Sequence, residues 1–204
     1  CDWSSDVCSS DLAGAVFHAV DPDLELEWSA DPGANLSPGQ EVLRITGRAR
    51  SILTAERTAL NLLGQLSAVA TRTARFVDLV SGTGVRIADT RKTIPGMRAL
   101  QKQAVLDGGG VNHRFGLHDA VLIKDNHIGL GGGLIPVLEQ LGSRVGHLVR
   151  VEVEVDTLEQ LDHLLAHDRA RLAAGELPVV HAVLLDNMGP ELVRQGVARV
   201  REHP

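Results

Sequence analysis

Positive side chains gather between residues 88 and 128, where Arg91, Lys92, Arg98, Lys102, His113, Arg114, Lys124 and His127 fall close together. Two groups of them follow short apolar runs. Val85-Arg86-Ile87-Ala88 precedes Asp89-Thr90-Arg91-Lys92, and Ala120-Val121-Leu122-Ile123 precedes Lys124-Asp125-Asn126-His127. An apolar run of this length reads as a buried parallel strand, and in α/β barrels chemistry collects at the strands' C-terminal ends. In a chain of net charge −6, cations recurring at strand ends describe a pocket for a small anion. A nucleic-acid surface would need a basic face, and aromatics at 2% leave little for base stacking.

Carboxylates follow the cations. Val149-Arg150-Val151-Glu152-Val153-Glu154-Val155-Asp156 alternates with period two, which sets Glu152 and Glu154 on one face. On an edge strand that face is merely wet; turned into a barrel lumen it needs a charge partner or a metal. Leu184-Leu185-Asp186-Asn187 adds a carboxylate at the end of a further strand. A wall of Arg and Lys suits carboxylates or phosphates, which guanidinium grips through paired hydrogen bonds. Opposing carboxylates suit Mg²⁺ bridging phosphate oxygens. The chain has no GxxxxGK[ST] loop and no GxGxxG after a strand, so ATP and dinucleotide readings lack their signature. Gly108-Gly109-Gly110 and Gly131-Gly132-Gly133 read as helix ends and loops.

The elements that must position these groups alternate. The strand at 85–88 is expected to lead into a helix with Pro95 near its start and Gly108 past its end. The strand at 120–124 leads to a helix around 135–141, the strand at 148–155 to a helix from Thr157, and the strand at 179–185 to a helix over 190–202. Four strands each followed by a helix predict a parallel sheet or part of a barrel, about half of a closed eight-stranded one. Upstream, a long helix is expected from Thr54 as N-cap, with Glu56 in its first turn, to about Val80. Ala59, Leu62, Leu63, Leu66, Val69, Ala70, Phe76 and Val77 set its apolar face. Arg57, Asn61, Gly64, Gln65 and Ala68 form a second stripe of polar and small residues, in which Gly64 predicts a close approach. Read alone, Arg57 is a solvated helix charge.

The 204 residues suffice for one large core or for one domain with part of another, and apolar residues at 44% supply it with aliphatic side chains. Residues 1–12 repeat a Ser-Ser-Asp motif without usable periodicity and read as a non-native segment, with the true N-terminus missing. Residues 13–50 read as strand-like pieces (15–19, 24–28 and 41–49) separated by turns, the remnant of an N-terminal α/β domain. Residues 51–204 then form the incomplete α/β barrel, whose end, straight after a helix, also reads as cut. The two cysteines, Cys1 and Cys8, give no disulfide framework or zinc site. No apolar run is long enough to span a membrane and no secretory signal is present, so a soluble cytoplasmic protein is expected.

Several of these blocks together resemble one family. Glu56-Arg57-Thr58-Ala59-Leu60-Asn61, Leu66-Ser67 with Ala70-Thr71, Asp89-Thr90-Arg91-Lys92-Thr93 with Pro95-Gly96, Gly109-Gly110-Val111-Asn112-His113-Arg114, Ile123-Lys124-Asp125-Asn126-His127, Glu152-Val153-Glu154-Val155 and Leu185-Asp186-Asn187 occur in the order seen in quinolinate phosphoribosyltransferases. The resemblance implies a partial open α/β barrel (type II phosphoribosyltransferase-like) preceded by the remnant of an α/β sandwich domain, working as a homodimer. It implies transfer of phosphoribose from phosphoribosyl pyrophosphate (PRPP) to quinolinate, releasing pyrophosphate and CO₂ and yielding nicotinate mononucleotide for NAD synthesis.

By motif match, Arg91, His113, Arg114 and Lys124 surround the two quinolinate carboxylates, with Thr90 among the substrate-binding residues. Arg57 reaches into the partner subunit's site. Lys92 contacts PRPP, and Glu154 and Asp186 face the ribose and the Mg²⁺–pyrophosphate, so that both meet the metal only through the donor. Lys92, Glu154 and Asp186 are the catalytic candidates. Glu152 shares a face with Glu154 and is the alternative to it. No nucleic acid and no membrane is expected as partner.

The family pattern continues beyond the Leu-Asp-Asn block with Gly- and Ser-rich loops for the PRPP phosphate that do not follow Pro204, and 167–178 reads as an insertion. The rival readings are a related phosphoribosyltransferase for another pyridine or aromatic acid, a Schiff-base aldolase with Lys124 as nucleophile, and an inactive truncated subunit.

Overall fold

The computed structural model describes residues 6–7 and 11–204, which divide into two units, one ending at Phe115 and one running Gly116–Pro204. In the first unit the strand β1 (Asp6–Val7) pairs antiparallel with β3 (Asn35–Leu36), and β2 (Glu25–Trp28) pairs antiparallel with β4 (Leu43–Thr46). Two helices pack here, α1 (Asp11–Val20) and the long α2 (Ala49–Leu79), followed by α3 (Arg98–Asp107). Of the segment 1–12, residues 1–5 and 8–10 lie outside the described residues.

Residues 15–19 are helical, not a strand: they lie within α1, where Ala13 and Phe17, one helical turn apart, are buried against Leu24, Ala55 and Ala59. A short apolar run is ambiguous between the two periods, and only the partner surface settles it. The long helix begins at Ala49, five residues before the predicted cap. Thr54 sits inside it and donates its hydroxyl to Arg50 O at 2.8 Å, the way a helical Thr satisfies itself on the preceding turn. Ala55, Ala59, Leu66 and Ala70 form the buried stripe of α2, as the periodicity predicts, while Phe76 lies half-exposed under the guanidinium of Arg72. Among the described residues, nothing beyond the surrounding helix comes within 4 Å of a side chain built at Gly64, so none of them makes the close approach predicted there. It occurs at Gly108 instead, where a Cβ would meet Ala70 O of α2 at 2.3 Å.

The run 85–88 does not form a strand. Its parallel partner is the single residue Val111, which donates to Ile87 O at 2.8 Å and accepts from Asp89 N at 3.1 Å. With so short a ladder Val85 stays exposed. The turn before α3 follows from its sequence: Pro95 fixes its own φ, Gly96 takes φ +78°, and Met97 N closes on Ile94 O at 3.0 Å.

The second unit holds a parallel sheet in the order β5 (Ala120–Ile123), β6 (Arg150–Val155), β7 (Ala182–Leu185). The helices α5 (Leu134–Gly142), α6 (Leu158–Ala173) and α7 (Pro190–Arg201) connect or follow the strands, and a short α4 (Asp125–Leu130), not expected from the sequence, comes directly after β5. Gly131 ends α4 and Gly133 precedes α5, as the triple-glycine stretch predicts; Thr157 caps α6 by accepting from Gln160 N at 3.1 Å. Because β6 lies between its neighbours, the alternation predicted for it divides the unit. Val151, Val153 and Val155 are buried in a cluster with Leu138, Leu161 and Leu164, each such side chain stabilising by roughly 1.5–3 kcal/mol. Glu152 and Glu154 take the other side. The reading of β6 as a wet edge strand is therefore excluded.

Candidate active site

The second unit presents its charged groups at the C-terminal end of the parallel sheet. Lys124 follows the last residue of β5 in extended conformation (φ −126°, ψ 170°), and its backbone N–H donates to His127 Nδ1 at 2.9 Å. His127 thus serves as an acceptor that ties strand to helix, rather than as one of the pocket cations. The Lys124 ammonium donates to Glu154 Oε2 on the adjacent strand. Glu154 is buried, its side chain 8% exposed against 43% for Lys124, so the carboxylate is the fixed member and the lysine reaches it from a more open position. Glu152, two residues earlier, is half-buried on the same face. At the end of β7, Asp186 donates its N–H to Val155 O at 3.0 Å and accepts from Asn187 Nδ2 at 3.2 Å. Lys124, Glu154 and Asp186 therefore share one end of one sheet, where open α/β sheets bind ligands. A cavity of about 540 Å³ opens at the opposite end, between Val149, Val151, Val179 and His181, and contains none of the predicted residues.

The first unit carries the other group. Thr90, Arg91 and Lys92 lie in the segment after the Ala88–Val111 bridge, with Thr90 Oγ1 accepting from Lys92 N at 3.1 Å. His113 and Arg114 follow Val111 on the other side of that bridge, so one pair of backbone bonds brings both cationic segments together. Arg91, His113 and Arg114 are half-buried; Lys92 and Arg57, the latter on α2, are exposed.

Two cations that the sequence shows only as members of the 88–128 cluster hold its loops together. Lys102 on α3 is 2% exposed and donates to Asp89 Oδ1 and, at 2.9 Å, to His113 O. Arg98 donates to Thr93 Oγ1, to Arg91 O and to Phe115 O. Asp89, to which the sequence assigns no role, accepts from His113 N at 2.9 Å. Asn112, with its amide turned to satisfy both ends, donates to Asp89 Oδ2 at 2.7 Å and to Lys102 O at 3.0 Å. The chain does carry a signal for this role: basic residues at i and i+4 of one helix, with a lone Asp beside the cationic run.

The comparisons decide the family. The model of the quinolinate phosphoribosyl transferase C-terminal domain matches residues 69–204, and that of the N-terminal domain matches residues 6–67. The chain belongs to the quinolinate phosphoribosyltransferase family. It is 49% identical over 152 residues to the nicotinate-nucleotide pyrophosphorylase [carboxylating] of Mycobacterium leprae, covering 74% of this chain and 53% of that protein. The probable nicotinate-nucleotide pyrophosphorylase [carboxylating] of Bacillus subtilis is 38% identical over 178 residues, or 87% of this chain and 58% of the relative. This member of the family thus spans somewhat over half the length of these curated relatives.

Among solved structures, NadC from Streptococcus pyogenes superposes with a TM-score of 0.87 at 33% identity, over 98% of this chain and 67% of that one. The nicotinate-nucleotide pyrophosphorylase from Francisella tularensis gives 0.88 at 34% identity, over 99% and 68%. The fold is that of these solved structures, a partial α/β barrel preceded by N-terminal domain elements. Among the described residues no helix is long and apolar enough to cross a membrane.

Proposed function

We propose that this chain performs the reaction of its family, transfer of phosphoribose from PRPP to quinolinate with loss of CO₂, as a cytoplasmic homodimer. The observation that carries the reading is the buried Glu154, held by Lys124 at the C-terminal end of the sheet with Asp186 on the next strand. A carboxylate excluded from water and fixed in place stabilises positive charge that appears only as the reaction proceeds.

In this mechanism Arg91, His113, Arg114 and Lys124 bind the two acceptor carboxylates, and Thr90 supports them. Lys92 neutralises the pyrophosphate. The bond from ribose C1 to the pyrophosphate oxygen breaks, and Glu154 and Asp186 offset the charge developing on the ribose. The pyridine nitrogen closes on C1, and the ring becomes cationic. The bond from the ring carbon beside that nitrogen to its carboxylate then breaks and CO₂ leaves. The electron pair stays on the carbon, where the cationic nitrogen stabilises it, and a proton from water takes that pair.

Among the described residues no three His, Cys, Asp or Glu side chains gather as a metal cage. Mg²⁺ would arrive with the pyrophosphate of the donor, as it usually does at phosphates, and Glu154 and Asp186 would meet it only through that donor. The homodimer reading draws on α2, where Arg57, Asn61, Gln65 and Ala68 are exposed and, among the described residues, nothing fills the space over Gly64. There Arg57 would serve the partner's site.

The test is direct: incubate the chain with quinolinate and Mg²⁺-PRPP and follow nicotinate mononucleotide, pyrophosphate and CO₂ together. All three in equal amounts are expected, with loss in Glu154→Gln. Binding of another pyridine acid in preference to quinolinate would redirect the reading to a related transferase.

A further inference from the structure

Arg98 and Lys102 stand four residues apart on α3 and leave the helix on one side. Both span the same two segments. Lys102 links Asp89 in the first segment to His113 O in the second. Arg98 links Arg91 O (3.3 Å) and Thr93 Oγ1 (3.2 Å) in the first to Phe115 O (3.2 Å) in the second. Asp89 closes the frame by accepting from His113 N and, on its second oxygen, from Asn112. The segments so joined carry Arg91 and Lys92 on one side and His113 and Arg114 on the other.

From this geometry we infer that Arg98 and Lys102 are positioning residues, which fix the separation between Arg91 and the His113–Arg114 pair. They thereby set the spacing of the two negative groups the site accepts. The inference rests on the functional reading above and adds to it a basis for selecting a dicarboxylate over a monocarboxylate.

Stability alone does not account for the arrangement. Burying an ammonium is costly, and an apolar side chain of similar volume commonly holds a core as well or better. What an apolar residue lacks is direction: Lys102 points donors at two named acceptors in two segments. The choice of Arg at 98 has the same logic, because its planar fork sends a donor from each of three nitrogens to a separate acceptor, a spread that a single ammonium nitrogen lacks. The carbonyls of Arg91, His113 and Phe115 are backbone atoms, so the grip sets where the chain runs.

The experiment titrates the full chain with pyridine-2,3-dicarboxylate and with pyridine-3-carboxylate in a calorimeter. The proteins are the unsubstituted chain, Arg98→Lys, Lys102→Met and the double variant Asp89→Asn/Lys102→Met, with folded fraction measured by circular dichroism in urea. Displacing a binding group by about 1 Å can cost on the order of a hundred-fold. The expected result is a loss of roughly ten- to a hundred-fold for the dicarboxylate and little change for the monocarboxylate, so that the ratio of affinities collapses.

Mere unfolding lowers both affinities by one factor. An unchanged ratio in Arg98→Lys and in the double variant would overturn the inference. If Lys102→Met does not fold, the double variant, which removes the stranded carboxylate with the ammonium, carries the comparison. An unsubstituted chain that binds neither acid overturns the functional reading and this inference with it. Binding by that chain with unaltered ratios in the variants overturns this inference alone.

Discussion

Asn187, just past β7, donates its side-chain amide to Asp156 Oδ1, just past β6, at 3.2 Å. The same amide donates to Asp186, so the ends of two adjacent strands and one candidate catalytic carboxylate meet at a single side chain. Among the described residues Asn187 is the one non-glycine with positive φ, +54°. That conformation costs most side chains about 1–2 kcal/mol, and Asn tolerates it better than others. Asn187→Ala should therefore destabilise by roughly 1–3 kcal/mol, and Asn187→Gly by less, since glycine keeps the backbone and forfeits the amide. Urea midpoints give the order; an alanine variant as stable as the glycine one would show that the backbone conformation carries no cost here.

The pair Lys124–Glu154 is asymmetric in burial, and its variants should be too. Lys124→Met leaves a buried carboxylate without its ammonium and should cost about 1–3 kcal/mol, discounted because Lys124 is itself partly solvated. Glu154→Gln removes the charge and retains an acceptor, so it should cost less stability and more activity. A double-mutant cycle on unfolding free energy measures the coupling, and a value near zero would remove the pair from the fold's support.

Asp21 offers the clearest dependence on pH. The hydroxyl of Ser51 donates to its carboxylate at 2.7 Å, Asp23 N donates at 3.1 Å, and Arg48 stands nearby; together they hold its pKa below the ordinary 3.8. A carboxyl whose folded value lies below its unfolded value favours folding in its ionised form. That contribution is complete above 3.8 and disappears as pH falls through the lowered folded value. Ser51→Ala removes the largest cause, so the variant should be less stable than the parent at neutral pH, and the gap should narrow toward the acid end. Urea midpoints across that range check it, and a gap independent of pH would mean that Ser51 acts by some route other than Asp21's ionisation.

A shared site makes a prediction about mixtures. Arg57→Ala and Lys92→Ala chains, each inactive alone, should regain activity when unfolded and refolded together, because one site of the mixed dimer has both residues. Random pairing makes half the dimers mixed with one intact site each, or about a quarter of the unsubstituted activity. Steady-state rates after refolding give the number. No recovery from a mixture shown by mass to contain the mixed dimer would place Arg57 in its own chain's site or in none.

Much of the second unit is legible in the amino-acid order alone, because a parallel strand buried on one face writes its period into Val151, Val153 and Val155, and because Thr157 and the glycines at 131–133 mark helix ends. Sequence and structure part where a local signal competes with packing. Thr54 carries a capping residue's chemistry but satisfies its hydroxyl within the helix, and Val85 to Ala88 has a strand's composition with only Val111 to pair with. At the site, residue type reveals which positions are cationic and cannot separate binders from braces. The donors of Arg98 and Lys102 reach Asp89, Thr93 and three backbone oxygens, and that is fixed by how α3 lies against the loops.

The hold that α3 exerts falls largely on peptide oxygens, those of Arg91, His113 and Phe115. It is therefore indifferent to the side chains displayed at 91, 92, 113 and 114. Every residue type carries a peptide oxygen, so a changed side chain at 91, 113 or 115 leaves the acceptor that α3 grips still in place.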